Sequence, residues 1–187
     1  LRRCADFIHF KDPSGNGIDL VVRPHHTGRC YFPARDAGIT LMHATHSRYV
    51  VDLNRNPDGV ALYAGADNTE LCPTRTFANE AVYVEGAAPT QAEVTARAAT
   101  YFAPYHAQLA VEIERVRARH GHAVVLDGHS IRAEVPRFFP GRLPDLNLGT
   151  ADGASCAAEL QAAATGVLAA ANRFTHVVNG RFKGGYV

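Results

Sequence analysis

The sequence predicts a three-layer α/β/α domain whose mixed, mainly parallel sheet carries helices on both faces. Three observations predict it. Short apolar runs at Ile18–Val22 and Ala123–Leu126 are bounded by turn residues, as buried strands of a parallel sheet are. Two amphipathic helical patterns, Thr90–His120 and Ser155–Ala171, lie among such runs. Both apolar runs deliver histidine at their C-terminal ends, where open α/β sheets bind their ligands.

Taken in order, the chain begins with a mixed segment containing the loop Asp12–Gly17. The Ile18–Val22 strand runs into Pro24-His25-His26-Thr27-Gly28-Arg29. A second short strand is expected at Gly38–Met42, and a third within Ser47–Pro57, with Asp52, Asn54 and Arg55 at its exit. Residues 56–89 read as a covering loop with a small hairpin, because Leu62, Tyr63, Phe77, Val82 and Tyr83 punctuate an otherwise polar stretch. Thr90 and Glu93 form a capping box. Val94, Ala98, Tyr101, Phe102, Tyr105, Leu109, Ile113 and Val116 then share one helical face.

Pro104 is expected to kink or split that helix, and Gly121 to stop it after Arg115, Arg117 and Arg119. The Ala123–Leu126 strand exits through Asp127, His129 and Ser130. Residues 131–154, rich in Pro and Gly, are expected to be a long structured loop. Ser155–Ala171 follows as a helix with Leu160, Ala164, Val167 and Leu168 inward. The last strand is His176–Asn179, which leads into Gly180–Tyr186.

At 187 residues the chain is read as a single domain, 1–187, large enough to bury a core. A net charge of +1 gives no support for a nucleic-acid partner or a membrane surface. Cys4, Cys30, Cys72 and Cys156 are scattered, with no C-x-x-C pair, so neither a zinc ribbon nor a disulfide scaffold is expected. No apolar run approaches the roughly 18 residues of a membrane span. With no leader expected either, the reading is a cytoplasmic protein without a membrane segment. Composition does not give the oligomeric state.

Ten histidines and no tryptophan direct attention to imidazole chemistry. His25 or His26 and His129 stand at strand ends far apart in sequence, and a metal with N and O ligands is one use for them. A turn-capping Asp127 with a surface His129 is the plainer alternative. Arg48, Arg55, Arg132 and Arg181 also recur at strand ends, and guanidinium groups suit a small dianionic substrate. Any one of them could equally serve solubility or an ion pair. The repeated amide-plus-guanidinium pairs Asn54-Arg55 and Asn179-Gly180-Arg181 favour function, whereas His43 and His46 read as structural. No nucleophile elbow, phosphate loop or dinucleotide fingerprint occurs.

Six ordered motifs add to this reading. They are Pro24–Arg29, Ser47–Arg55, Pro104-Tyr105-His106, Asp127–Arg132, Gly141–Gly153 and Asn179–Tyr186. Together they resemble the N-formylglutamate amidohydrolase (N-formylglutamate deformylase) family, from about residue 18 to the C-terminus. The resemblance implies a zinc-carboxypeptidase-like fold. It also implies zinc-dependent hydrolysis of N-formyl-L-glutamate to L-glutamate and formate, a late step of histidine breakdown. His26, with His25 as alternative, matches the histidine of the family's H-S-G motif, and His129 that of its D-x-H-S motif. Both would be zinc ligands. Asn54 and Arg55 match a pair resembling a substrate-carboxylate clamp, with Arg48 and Arg181 as further binding residues for a dicarboxylate.

Two departures from the family pattern shape the expectation. The acidic segment usual between the first histidine motif and the Gly-x-Thr-Leu strand is short here, with Asp36 its only acid. The glutamate expected as general base lies in a segment that follows Gly-Gly-Tyr in the family, whereas this sequence stops at Val187. The chain is therefore expected to be a truncated or internally deleted form. Its alternative to catalysis is an inactive module that binds an acidic N-acyl amino acid.

Overall fold

The computed structural model describes the backbone of residues 20–22 and, in full, residues 39–59 and 69–184. The expectations for Asp12–Gly17, His25, His26, Asp36, Leu62 and Tyr63 fall outside the described residues. In chain order the elements are β1 (Leu20–Val22), α1 (Gln91–Arg97), a π-helical turn (Ala98–Phe102) and α2 (Ala103–His120). They continue with β2 (Val124–Leu126), β3 (Leu146–Leu148), a 3-10 turn (Ala151–Gly153), α3 (Ala158–Ala170) and β4 (His176–Val178). The fold is mixed α/β, and its described strands form two parallel pairs, β1 with β2 and β3 with β4.

The chain divides into two compact units. The first comprises Leu1–Leu53, Leu71–Pro73 and Tyr83–Ser130, the second Asn54–Glu70, Thr74–Val82 and Ile131–Val187. In the first, Val51, Leu53, Leu71, Cys72, Phe102, Leu109 and Val116 are buried. In the second, Val135, Phe139 and Leu143 form a core cluster against which Phe77, Phe138 and Phe182 pack.

Helix α1 starts where the sequence says it should. The Thr90 hydroxyl accepts from the Glu93 N–H, satisfying one of the amides that a helix start leaves unpaired. The helix does not break at Pro104, since the backbone stays right-handed helical from α1 through the π turn into α2. The turn before Pro104 widens into a π turn, in which the Ala103 N–H reaches back to the Ala98 carbonyl. Proline then sits in the first turn of α2, where its missing N–H costs little. Gly121 closes α2 in the left-handed conformation, φ 80°, and donates its N–H to the Arg117 carbonyl at 2.8 Å.

Three expectations are corrected. Ser47–Pro57 is not a strand but a pair of turns. Val50 N–H donates to the Ser47 carbonyl, and Asp52, with 0% exposure, takes an ion pair from Arg48 four residues earlier at 2.5 Å. A fully buried carboxylate needs such a partner, and an extended strand would carry Arg48 too far from it. Among the described residues of the expected Gly38–Met42 strand, only Leu41 makes a bridge. Conversely, β3 lies inside the stretch read as loop, because three residues between Pro144 and Gly149 give too little alternation to recognise. The hairpin expected within 56–89 is present in reduced form as the antiparallel bridge Arg75–Ala81. On α3 the expected inward residues Leu160, Ala164, Val167 and Leu168 are half-buried, and the helix has no buried residue.

Candidate functional site

Strands β1 and β2 are parallel, with Leu20 opposite Val124 and Val22 opposite Leu126, so their C-terminal ends coincide. In sequence, β1 is followed by Pro24-His25-His26 and β2 by Asp127-Gly128-His129. His129 stands at the exit of β2 with Nε2 2.8 Å from the Asp127 carboxylate. A carboxylate on one ring nitrogen fixes the plane of the imidazole and directs the other nitrogen outward. His129 is exposed and Asp127 half-buried. Imidazole nitrogen with carboxylate oxygen is a donor set that suits zinc. Among the described residues no three His, Cys, Asp or Glu side chains gather into a metal-sized group, and His26 lies outside them.

The arginines differ in how they are held. Arg48, in the first unit, is the counter-ion of buried Asp52, and its side chain is 31% exposed. The turn that carries it is tied from three directions. Arg97 donates to the Val50 carbonyl at 3.2 Å and to the Tyr83 hydroxyl oxygen at 3.0 Å, His106 donates to the Leu53 carbonyl at 2.9 Å, and Asp52 N–H donates to the Leu71 carbonyl at 2.7 Å. Asn54 and Arg55 belong to the second unit. Arg55 donates from Nε to the Thr69 hydroxyl at 2.7 Å and from Nη1 to the Asn54 carbonyl at 2.5 Å, which fixes the guanidinium plane. Arg181, also in the second unit, is exposed and lies over the Phe139 ring at 5.4 Å.

In the second unit, β3 and β4 run parallel in register Leu146–His176 to Leu148–Val178, so the loops that follow them leave the same end of the pair. These loops are clasped. Asn179 holds Thr150 through both ends of its amide, and Ala151 N–H donates to the Lys183 carbonyl at 2.6 Å. A methyl group on Gly149 would lie 2.6 Å from the Lys183 carbonyl carbon and 2.7 Å from the Gly184 nitrogen, so only glycine fits. Asn179, Ala151 and Asp152 all take positive φ, an unusual density of left-handed non-glycine residues. The sequence marked Asn179-Gly180-Arg181 as one motif but gave no sign that Thr150 was its partner, since 29 residues separate them.

His43 and His46, read as structural, line an open cleft of about 540 Å³ in the first unit with Leu41, Met42, Tyr101 and Tyr105. The His46 ring packs on Tyr101 at 4.4 Å. Neither His129 nor any of the four substrate-binding candidates lines that cleft.

Comparison with known proteins agrees over most of the chain. The family profile described as N-formylglutamate amidohydrolase matches residues 24–187. An N-formylglutamate deformylase of Pseudomonas putida is 44% identical over 162 residues, which is 87% of this chain and 60% of that protein. One of Pseudomonas aeruginosa is 46% identical with the same coverage. The chain thus spans 60% of the length of these relatives. A crystal structure of N-formylglutamate amidohydrolase from Ralstonia eutropha superposes with a TM-score of 0.63 at 26% identity, covering 92% of this chain and 75% of that one. A gene product of Agrobacterium tumefaciens, 18% identical with a TM-score of 0.54, shares the fold over 86% of this chain and 68% of its own.

Proposed function

Because the chain belongs to the N-formylglutamate amidohydrolase family, we propose that it binds N-formyl-L-glutamate and hydrolyses its linear amide to L-glutamate and formate. The observation that carries this reading is the in-register parallel pairing of β1 with β2. It brings to one end the two strands that precede the two histidine motifs. The three-layer, zinc-carboxypeptidase-like arrangement and the single 1–187 domain are part of the same proposal, as are a cytoplasmic place in histidine breakdown and a small dicarboxylate as partner.

In this reading His129 and His26 hold zinc, and Asp127 keeps the His129 imidazole oriented for it. When bound, the metal supplies Lewis acidity that polarises the formyl carbonyl and makes water reactive near neutral pH. Arg55, Asn54, Arg48 and Arg181 hold the two substrate carboxylates, and the preset plane of Arg55 limits what binding must order. Water adds at the formyl carbon, the C–N bond breaks, and the departing nitrogen takes a proton. The resemblance gives the proton-accepting role to a glutamate of the family's segment after Gly-Gly-Tyr, and no residue of these 187 is assigned to it.

A second reading, a module that binds an acidic N-acyl amino acid without turnover, is favoured by the short segment between Arg29 and Gly38, in which Asp36 is the only acid. One experiment separates the two. Formate release from N-formyl-L-glutamate is measured alongside calorimetric binding and metal content. Release abolished by a chelator supports the hydrolase, binding without release supports the module, and neither release nor binding overturns both.

A further inference from the structure

We propose that Thr150 and Asn179 are positioning residues that fix Arg181 for the side-chain carboxylate of the substrate, an inference that rests on the carboxylate-clamp reading above. Asn179 is the first residue after β4, and its N–H donates to the Leu148 carbonyl at 2.8 Å, extending the ladder by one step. Its amide then does more than a turn requires. Oδ1 accepts the Thr150 N–H at 2.8 Å and Nδ2 donates to the Thr150 hydroxyl oxygen at 2.8 Å. The same hydroxyl accepts from Gly153 N–H at 3.2 Å and donates to the Gln161 side-chain oxygen on α3 at 2.5 Å. Thr150 is 3% exposed, so its own amide and hydroxyl find these partners away from water.

The backbone between these ties leaves Arg181 little freedom. Asn179 takes φ 49°, and a methyl on Gly180 would sit 2.8 Å from the Val177 side chain, so the turn closes tightly under β4. Two residues beyond Arg181, the Lys183 carbonyl is held by Ala151 N–H, and its ammonium lies 2.7 Å from the Asp152 carboxylate. Arg181 therefore projects from a short span anchored at both ends to the loop around Thr150, with Phe139 beneath its guanidinium. A turn alone would be served by glycine at 179. The two-ended amide clasp instead sets the direction in which residue 181 leaves the sheet, which reduces the ordering that a carboxylate must impose on binding.

The test compares dissociation constants for N-formyl-L-glutamate and its neutral isostere N-formyl-L-glutamine, because a merely structural role would weaken both alike. The parent is expected to prefer the glutamate. Arg181→Ala should reduce that preference about tenfold, the value of one charge-assisted hydrogen bond. Thr150→Val, which keeps shape and loses the hydroxyl, and Asn179→Gly, which keeps the left-handed backbone, should each reduce it to a similar degree. Thr150→Ser should retain it. If Thr150→Val does not fold, as circular dichroism would show, Asn179→Gly carries the test. Should both variants keep the parental preference, or lose the two ligands equally, while Arg181→Ala loses the preference, the inference is overturned and the clamp stands. A parent that binds neither ligand, or an Arg181→Ala variant with undiminished preference, overturns the clamp and the inference with it.

Discussion

Asp127 shows how much one side chain can decide here. Its carboxylate is 2.8 Å from His129 Nε2, so it sets which ring nitrogen faces outward. Asp127→Asn keeps the shape and removes the charge. Under the proposed zinc site it should lower metal affinity by ~10–100-fold, the usual effect of losing a carboxylate behind a histidine ligand. Competition against a chromophoric chelator measures this, and unchanged affinity would remove Asp127 from that role. Arg55 is held through Thr69 and the Asn54 carbonyl, and its truncation should raise KM for N-formyl-L-glutamate, or weaken its binding, by ~2–5 kcal/mol. A parental KM would make it a structural arginine. His129 and Arg55 could be named as candidates from the sequence because they lie in recognisable motifs. Thr150 was not, since its partner is remote and a threonine beside a glycine turn resembles any other.

At the scale of elements, the β3–β4 pair is pinned at its start by a side-chain clip. The Asp145 carboxylate accepts both the N–H and the hydroxyl of Thr175, and Asp145 N–H returns to the Thr175 hydroxyl oxygen at 3.0 Å. The Thr175 backbone N–H, followed by its hydroxyl, holds the Asp145 carboxyl below the usual aspartate range. A carboxyl depressed in the folded state stabilises fully above the unfolded value of about 3.9 and loses that contribution as pH falls through its lowered folded value. Stability in denaturant should therefore fall over that acid window less steeply for Asp145→Asn than for the parent. Identical slopes would show that the clip does not report on folding. The helix ends were legible because Thr90 and Gly121 act through local backbone chemistry. The Ser47–Pro57 turn was not, because its apolar run is buried around the Arg48–Asp52 pair, and alternation alone cannot show that. The π turn before Pro104 was half legible. Proline required an adjustment of the helix, and the widened turn supplied it without a break.

Across the whole molecule, the interleaving of the two units matters most. Leu71–Pro73 belongs to the first unit although second-unit residues flank it on both sides, so neither unit is one continuous stretch of chain. Phe139, in the core of the second unit, should cost ~3–5 kcal/mol when cut to alanine. Because the chain threads repeatedly between the units, that loss should shift one common unfolding transition. Two separated transitions in calorimetry, only one of them moved, would show the units melting apart. Gly149 carries a different kind of consequence. Its α-carbon lies against the backbone of Lys183 and Gly184, so the loop after β3 and the loop after β4 share a wall with no room for a side chain. Lineages diverging from this sequence could then change one loop only in step with the other. A library randomising Gly149 and Gly184 together should return almost no survivor altered at Gly149, whatever residue stands at 184.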